Sequence, residues 1–261
     1  MSMHSTQRFS DRVSAYVAAR PRYPVALAPL LARELRLPAD AVVADIGCGT
    51  GLSSEPFLAA GFAVIGVEPD DAMRAAAERE LAPSPRFRSV KGVAEATTLA
   101  PASIDLVVAD QAYHWFDPVR FGAELRRILK PGGALALFWN ARLHDASPFM
   151  ADYDRAMTQF CPQYDTDFRD ATRSRRLPFM RIAFGGDHYR KTDLDHTHPL
   201  DRTGLIARFE SGSGSPQPGD LLHEPMVAGL NALFDRHARN AVVEMSYRTL
   251  VFFGHPRPPQ S

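Results

Sequence analysis

Three glycines at alternate positions, Gly47, Gly49 and Gly51, stand where an apolar run, Val42-Val43-Ala44-Asp45-Ile46, gives way to an amphipathic stretch. A near-continuous apolar run of this length reads as a strand buried on both faces. Glycines directly after it let the chain turn sharply and let a ligand approach bare backbone. The next apolar run, 62–68, ends in a carboxylate, Glu68. A carboxylate closing the second strand of an α/β unit can accept both hydroxyls of a ribose. The pair therefore predicts an α/β fold with a nucleoside at the carboxyl ends of its first two strands. A dinucleotide fingerprint wants a third glycine where Leu52 stands. That departure disfavours a nicotinamide cofactor and leaves it as an alternative.

The rest of the chain to residue 140 repeats the alternation. Helices are predicted over 53–60, from a cap at Asp70 or Asp71 to about Leu81, and over 119–129; strands over 87–93, 104–110 and 134–139. Lys130-Pro131-Gly132-Gly133 reads as a turn. Ahead of the first strand, residues 10–37 read as two helices broken at Arg20-Pro21-Arg22-Tyr23-Pro24, with Leu27, Leu30, Leu31 and Leu35 at helical spacing. After residue 140 the pattern predicts helices over 148–160, 203–210 and 220–237, a strand near His188 and a strand over 242–253. The expected architecture is a Rossmann-like, doubly wound, mostly parallel seven-stranded sheet. It carries an antiparallel C-terminal strand and helical additions at the N-terminus and after strand five. The organisation expected is one domain over 1–261. A helical cap (1–38) precedes a cofactor-binding core (39–140), acceptor-side helices and a strand (141–240), a final sheet strand (241–254) and a tail (255–261).

Composition narrows the partners. Lys and Arg together number 30, as do Asp and Glu. No net field draws such a chain to nucleic acid or an anionic membrane, so neither is an expected partner. The two cysteines, Cys48 and Cys161, are too few for a disulfide framework and fit a reducing compartment. No run approaches the roughly 20 apolar residues of a spanning helix, and residues 1–11 lack a signal-type apolar run. A soluble cytoplasmic protein is expected.

Five segments in order carry a family resemblance. Val43-Ala44-Asp45-Ile46-Gly47-Cys48-Gly49-Thr50-Gly51 resembles motif I of class I S-adenosylmethionine-dependent methyltransferases. Val67-Glu68-Pro69-Asp70 resembles their acidic second motif, and Gly92-Val93-Ala94-Glu95 their adenine-side segment. Residues 104–116, ending Tyr113-His114-Trp115-Phe116, and residues 125–133 resemble motifs of the type 11 branch, which includes the trans-aconitate methyltransferase-like group. The resemblance spans about residues 10–140. It implies S-adenosyl-L-methionine as cofactor, S-adenosyl-L-homocysteine as product and a small-molecule methyl acceptor. It implies that Asp45, Gly47, Cys48 and Gly49 form the cofactor loop and that Glu68 holds the ribose. Pro69 and Met73 would pack on adenine, with Ala94 and Glu95 at its amine. The backbone of Gln111 would lie beside the methionine tail, closed over by Tyr16 and Arg20, the latter at the tail's carboxylate.

The acceptor side is less determined. His114 and Trp115 follow strand four, at the edge where α/β sheets bind ligands. His114 is the candidate general base; Trp115, Trp139 and Asn140 are candidate substrate contacts. No metal is expected: His188, Asp193, Asp195, His196 and His198 match no zinc spacing and read as a solvated loop. Residues 165–181 hold Arg169, Arg173, Arg175, Arg176 and Arg181 against Asp165, Asp167 and Asp170. They read either as a solvated face or as a lid whose arginines clamp an acidic substrate. A nicotinamide-dependent oxidoreductase and a non-catalytic module that binds S-adenosylmethionine are the alternatives.

Overall fold

The computed structural model describes residues 20–161, 178–212 and 214–257. Its centre is a seven-stranded sheet of order β3-β2-β1-β4-β5-β7-β6. The strands are β1 (Val42–Ile46), β2 (Ala63–Val67), β3 (Phe87–Val90), β4 (Ile104–Ala109), β5 (Leu129–Arg142), β6 (Arg190–Leu200) and β7 (Val243–Gly254). The first five run parallel. The chain lays β1, β2 and β3 outward in one direction, then returns to place β4 on the other side of β1. That reversal opens a crevice at the carboxyl ends of β1 and β4, the usual ligand position in open α/β sheets.

Successive residues of the central strands face opposite cores. Val43, Val64, Leu106, Val108 and Phe138 pack on α1 (Leu27–Leu35) and on Phe57 of α2 (Glu55–Ala59). Ala44, Ile65, Val107, Leu135 and Leu137 pack on the other side, against Phe121, Leu125 and Ile128 of α4 (Pro118–Ile128). Burial on both faces explains why these strands read as unbroken apolar runs. The helices begin where their caps dictate. Asp70 accepts from the amides of Ala72 and Met73, both at 2.9 Å, to start α3 (Asp71–Glu80). Asp117 accepts from Val119 and Arg120, both at 3.0 Å, ahead of Pro118 in α4. Such caps contribute about 1 kcal/mol each.

Several boundaries differ from the sequence reading. The helix expected over 53–60 starts at Glu55, because the hydroxyls of Ser53 and Ser54 turn to Asp45 instead of capping it. Residues 130–133, expected as a separate turn, are drawn into β5, whose pairing with β4 shifts register between Ile104 and Leu106. Helix α7 (His223–His237) starts three residues late. The final addition is two antiparallel strands, not one: β7 pairs β5, and β6 pairs β7 along its full length. This corrects the solvated-loop reading of residues 193–198. They alternate in exposure along β6, with Asp195 bridging Arg248 of β7 at 2.6 and 2.8 Å. That exposed pair contributes little to stability. No group of three or more candidate metal ligands occurs among the described residues, and none of the described helices is long and apolar enough to cross a membrane.

A third apolar cluster sits apart from the sheet faces. Phe149, Met150, Tyr153 and Met157 of α5 (Pro148–Phe160) meet Leu205 and Phe209 of α6 (Arg202–Glu210), Met226, Leu230 and Phe234 of α7, and Met245 and Tyr247 of β7. Residues 162–177, with Arg169, Arg173, Arg175 and Arg176, lie outside the described residues. Arg181 is exposed and faces Asp187 at 3.5 Å.

One buried carboxylate locks α4 to the loop after β3. Glu124 is 8% exposed and accepts from the amide and hydroxyl of Thr97 (2.8 and 2.5 Å) and from Arg127. The Arg127 guanidinium holds its carboxyl down at about 2. A depressed carboxyl contributes stability above its ordinary range near 4.5 and loses it as pH falls toward 2. Glu124→Gln is therefore expected to lower the unfolding free energy at pH 7 by about 1.5–3 kcal/mol. It should also flatten the fall in stability between pH 4.5 and 2, read by denaturant titration at each pH. Wild-type stability in the variant would refute this account.

Candidate active site

The glycine turn folds back over the end of β2. The amides of Gly47 and Cys48 both donate to the Val67 carbonyl, at 2.8 and 3.3 Å. Gly47 and Gly49 have φ of +73° and +55°, a region L side chains rarely adopt. The two differ in what surrounds them. A Cβ on Gly47 would lie 2.6 Å from the Cβ of Ala112, after β4, whereas a Cβ on Gly49 would meet nothing within 4 Å. Gly47 is required by packing inside the protein. Gly49 leaves open backbone facing empty space.

Glu68, 6% exposed, ties the turn to β2. Its Oε2 accepts from the Gly49 amide and its Oε1 from the Asp70 amide, each at 3.0 Å. Burial pushes its carboxyl above the ordinary range. Each oxygen keeps further acceptor capacity, so the group can hold a diol without giving up its backbone contacts.

Two more carboxylates stand at the same edge. Asp45 is fully buried; its Oδ2 accepts from Ser53 and Ser54 at 2.7 and 2.6 Å. Its Oδ1 is buried without a hydrogen-bond partner among the described residues. Burial pushes Asp45 up to about 6. Asp110, directly after β4, accepts from the Tyr23 hydroxyl at 3.1 Å. Desolvation, reinforced by the charge of Asp45, pushes it up to about 7. Buried Cys48 feels all three carboxylates, and its thiol is held well above its ordinary range, mainly by burial. A raised thiol is unreactive, so Cys48 is a packing residue whose sulfur lies against Gly66.

The expected cofactor residues fall into two groups. Gly47, Glu68, Pro69, Ala94 and Glu95 line one cavity, beside Ala112 and Phe116. Trp115, 47% exposed, lines this same cavity. The sequence reading makes it a candidate acceptor contact; in the structure it shares the cavity with Glu68 and Pro69. Met73 is buried in α3 and Gln111 is half-buried after β4. Arg20 donates to the carbonyl of Ser211 at 3.3 Å and lies close enough to stabilise the Asp110 carboxylate. Tyr16 lies outside the described residues.

The strand-five candidates take other roles than expected. Trp139 is 6% exposed and stacks flat on Phe252, 5.1 Å between centroids. Asn140 donates to the carbonyls of Pro21 and Arg22 (3.3 and 3.4 Å). Its Oδ1 accepts from Thr249 (2.6 Å) and lies 3.1 Å from His196 Nε2. Within the chain, Trp139 thus packs on β7 and Asn140 ties the segment before α1 to β6 and β7. His114 sits in a short 3-10 turn, Tyr113–Trp115, half-buried and edge-on to Tyr113. Sequence reading missed Tyr23 and Asp110. The signal was present: a carboxylate ending an apolar strand singled out Glu68, and Asp110 ends β4 in the same way.

Residues 44–137 match the methyltransferase domain family. Over 139 residues the chain is 38% identical to an uncharacterised methyltransferase of Mycobacterium tuberculosis, covering 51% of this chain and 52% of that protein. The chain thus spans about half the length of the curated relatives it matches. Among solved structures, a protein of Anaeromyxobacter dehalogenans provisionally described as a type II methyltransferase is similar at 24% identity and a TM-score of 0.62, over 91% of this chain and 99% of that one. A Haemonchus contortus phosphoethanolamine N-methyltransferase, solved with phosphomonomethylethanolamine and S-adenosylhomocysteine, shares the fold at 14% identity and a TM-score of 0.53, over 98% of this chain and 59% of that one. The sheet order and the glycine turn fit the match over residues 44–137, so that part of the chain is similar to S-adenosylmethionine-dependent methyltransferase domains.

Proposed function

We propose that the chain transfers a methyl group from S-adenosylmethionine to a small-molecule acceptor. The observation that carries this reading is the Glu68 carboxylate bonded to the amide of Gly49, a glycine whose side-chain position is open. The surrounding residues fit the cofactor's charge. Buried carboxylates at Asp45 and Glu68 and a half-buried one at Asp110, with one oxygen of Asp45 lacking a partner among the described residues, suit a cationic ligand.

When bound, the cofactor supplies an electrophilic methyl group on a positively charged sulfur. The chain's residues bind and orient it. Glu68 holds the ribose hydroxyls; Pro69 and Met73 pack on the adenine; Ala94 and Glu95 lie toward its amine; Trp115 covers the cavity mouth. Gln111, through its backbone, and Arg20 serve the methionine tail. Holding donor and acceptor in line in a water-poor cleft supplies much of the rate. His114 accepts the proton when the acceptor arrives as a hydroxyl or protonated amine; O- and N-methylation are the favoured reactions. A small acceptor is favoured by the balanced charge of 30 basic against 30 acidic residues.

The test is transfer of labelled methyl from S-adenosylmethionine to a panel of small carboxylates, hydroxyls and amines, with calorimetry of S-adenosylhomocysteine and NADH alongside. A gain of one methyl group on a defined compound is expected. Binding of NADH and not of S-adenosylhomocysteine would overturn the reading.

A further inference from the structure

Three aromatic side chains, Tyr113, Trp115 and Phe116, crowd the short turn after β4, and they are placed differently. Tyr113 is buried, its ring centroid 5.5 Å from that of Trp139 and 5.4 Å from that of Phe179. Phe116 packs on Phe121 of α4 at 5.2 Å. The turn is thus anchored in the core at both ends. Its own bonds stiffen it: the Trp115 amide donates to the Ala112 carbonyl at 2.9 Å and the Phe116 amide to the Tyr113 carbonyl at 3.2 Å. The loop after β3 adds a tie, Glu95 Oε1 accepting from the Asp117 amide at 2.7 Å. Trp115 alone of the three aromatics is left largely in water, 47% exposed. A single exposed apolar side chain needs no explanation by itself. This one lines the cavity that also holds Glu68 and Pro69, and there an open indole face is a surface for a flat ligand.

Covalent geometry says which part of the donor reaches this space. Adenine is bonded directly to the ribose, so a ribose whose hydroxyls lie at Glu68 leaves its base in the adjoining cavity. The sulfonium and the amino-acid tail leave the ribose at its other end. Besides Glu68 and Glu95, the cavity is lined by backbone and apolar groups, at Pro69, Val93, Ala94, Ala112 and Phe116 among others. Such a lining suits the faces of a base and leaves little for a charged tail. Every base has a π face, and an indole stacks on it. We propose that Trp115 is a specificity-determining residue for the donor's nucleobase, its indole stacked on the adenine, and not a contact of the methyl acceptor. The inference rests on the methyltransferase reading and deepens it. Adenine is common to S-adenosylmethionine and S-adenosylhomocysteine, so Trp115 contributes equally to the binding of both.

The experiment combines indole fluorescence with calorimetry on the full chain. The chain has two tryptophans, Trp115 and Trp139. Trp139 is buried and stacked on Phe252, so Trp139→Phe leaves Trp115 as the sole reporter. In that variant S-adenosylhomocysteine and adenosine should change the emission, and methionine should not. Trp115→Ala is expected to weaken S-adenosylmethionine and S-adenosylhomocysteine alike, by about ten- to a hundredfold, the range that stacking of one base contributes. Trp115→Phe, which keeps a smaller ring, should fall between alanine and wild type. S-adenosylhomocysteine binding with no change in Trp115 emission overturns the proposal and leaves the methyltransferase reading intact. So does undiminished affinity in a folded Trp115→Ala protein, or an emission change with methionine and none with adenosine. Binding of neither S-adenosylmethionine nor S-adenosylhomocysteine to the wild type overturns both. If Trp139→Phe fails to fold by circular dichroism, the wild-type emission change decides, and its persistence in Trp115→Phe overturns the proposal.

Discussion

Glu68→Ala is expected to weaken S-adenosylhomocysteine binding by a factor on the order of 10² to 10⁴. A hydrogen bond to a charged group contributes about 1.5–3 kcal/mol, and two ribose hydroxyls would lose theirs together. The substitution also releases the amides of Gly49 and Asp70, which the two carboxylate oxygens hold at 3.0 Å. Glu68→Gln keeps one acceptor oxygen and should fall between alanine and wild type. Calorimetry of both variants, with thermal unfolding as a control on the fold, reads the effect. Undiminished affinity in a folded Glu68→Ala protein would remove Glu68 from the ribose.

The second large effect separates two glycines that look alike in the sequence. Gly49→Ala is expected to fold with a stability loss of about 1–2 kcal/mol, the cost of an L residue in the left-handed region. Nothing in the protein crowds the new methyl. Cofactor binding should nevertheless be lost, because the methyl occupies the space through which the ligand meets the backbone. Gly47→Ala carries the same backbone cost plus about 1–3 kcal/mol of overpacking, since its Cβ would sit 2.6 Å from that of Ala112. Its melting temperature should be the lower of the two. Equal melting temperatures with equal retained affinity would show that the open space over Gly49 is not a ligand's.

Much of this was legible in the residues. The strands of the parallel half are apolar because both faces are covered, and that pattern survives any tertiary detail. The glycines and Glu68 were legible because they answer to backbone geometry at a fixed place in the fold. Residues 193–198 were not, because β6 is an edge strand whose charged residues alternate with half-buried ones, and only pairing with β7 makes it regular. The contacts of Trp139 and Asn140 within the chain were not legible for a related reason. Position at a strand end says where a residue lies, while partners 119 and 109 residues distant, Pro21 and Thr249, decide what it does. Asp110 was hidden by its neighbours His114 and Trp115, whose side chains suggest chemistry more loudly than a carboxylate does.

The antiparallel ending of the sheet has a consequence for how such a chain can diversify. β6 climbs from the edge remote from the cleft, where Arg190 pairs Phe253, to the cleft edge, where Leu200 pairs Val243. Helices α6 and α7 hang between these two strands; α7 packs mainly on α5 and α6, and α6 on α7 and β6. The parallel ladder that shapes the cofactor cleft takes no part in that cluster. Helices at this end can be exchanged or reshaped as a cassette while the parallel ladder stays in register.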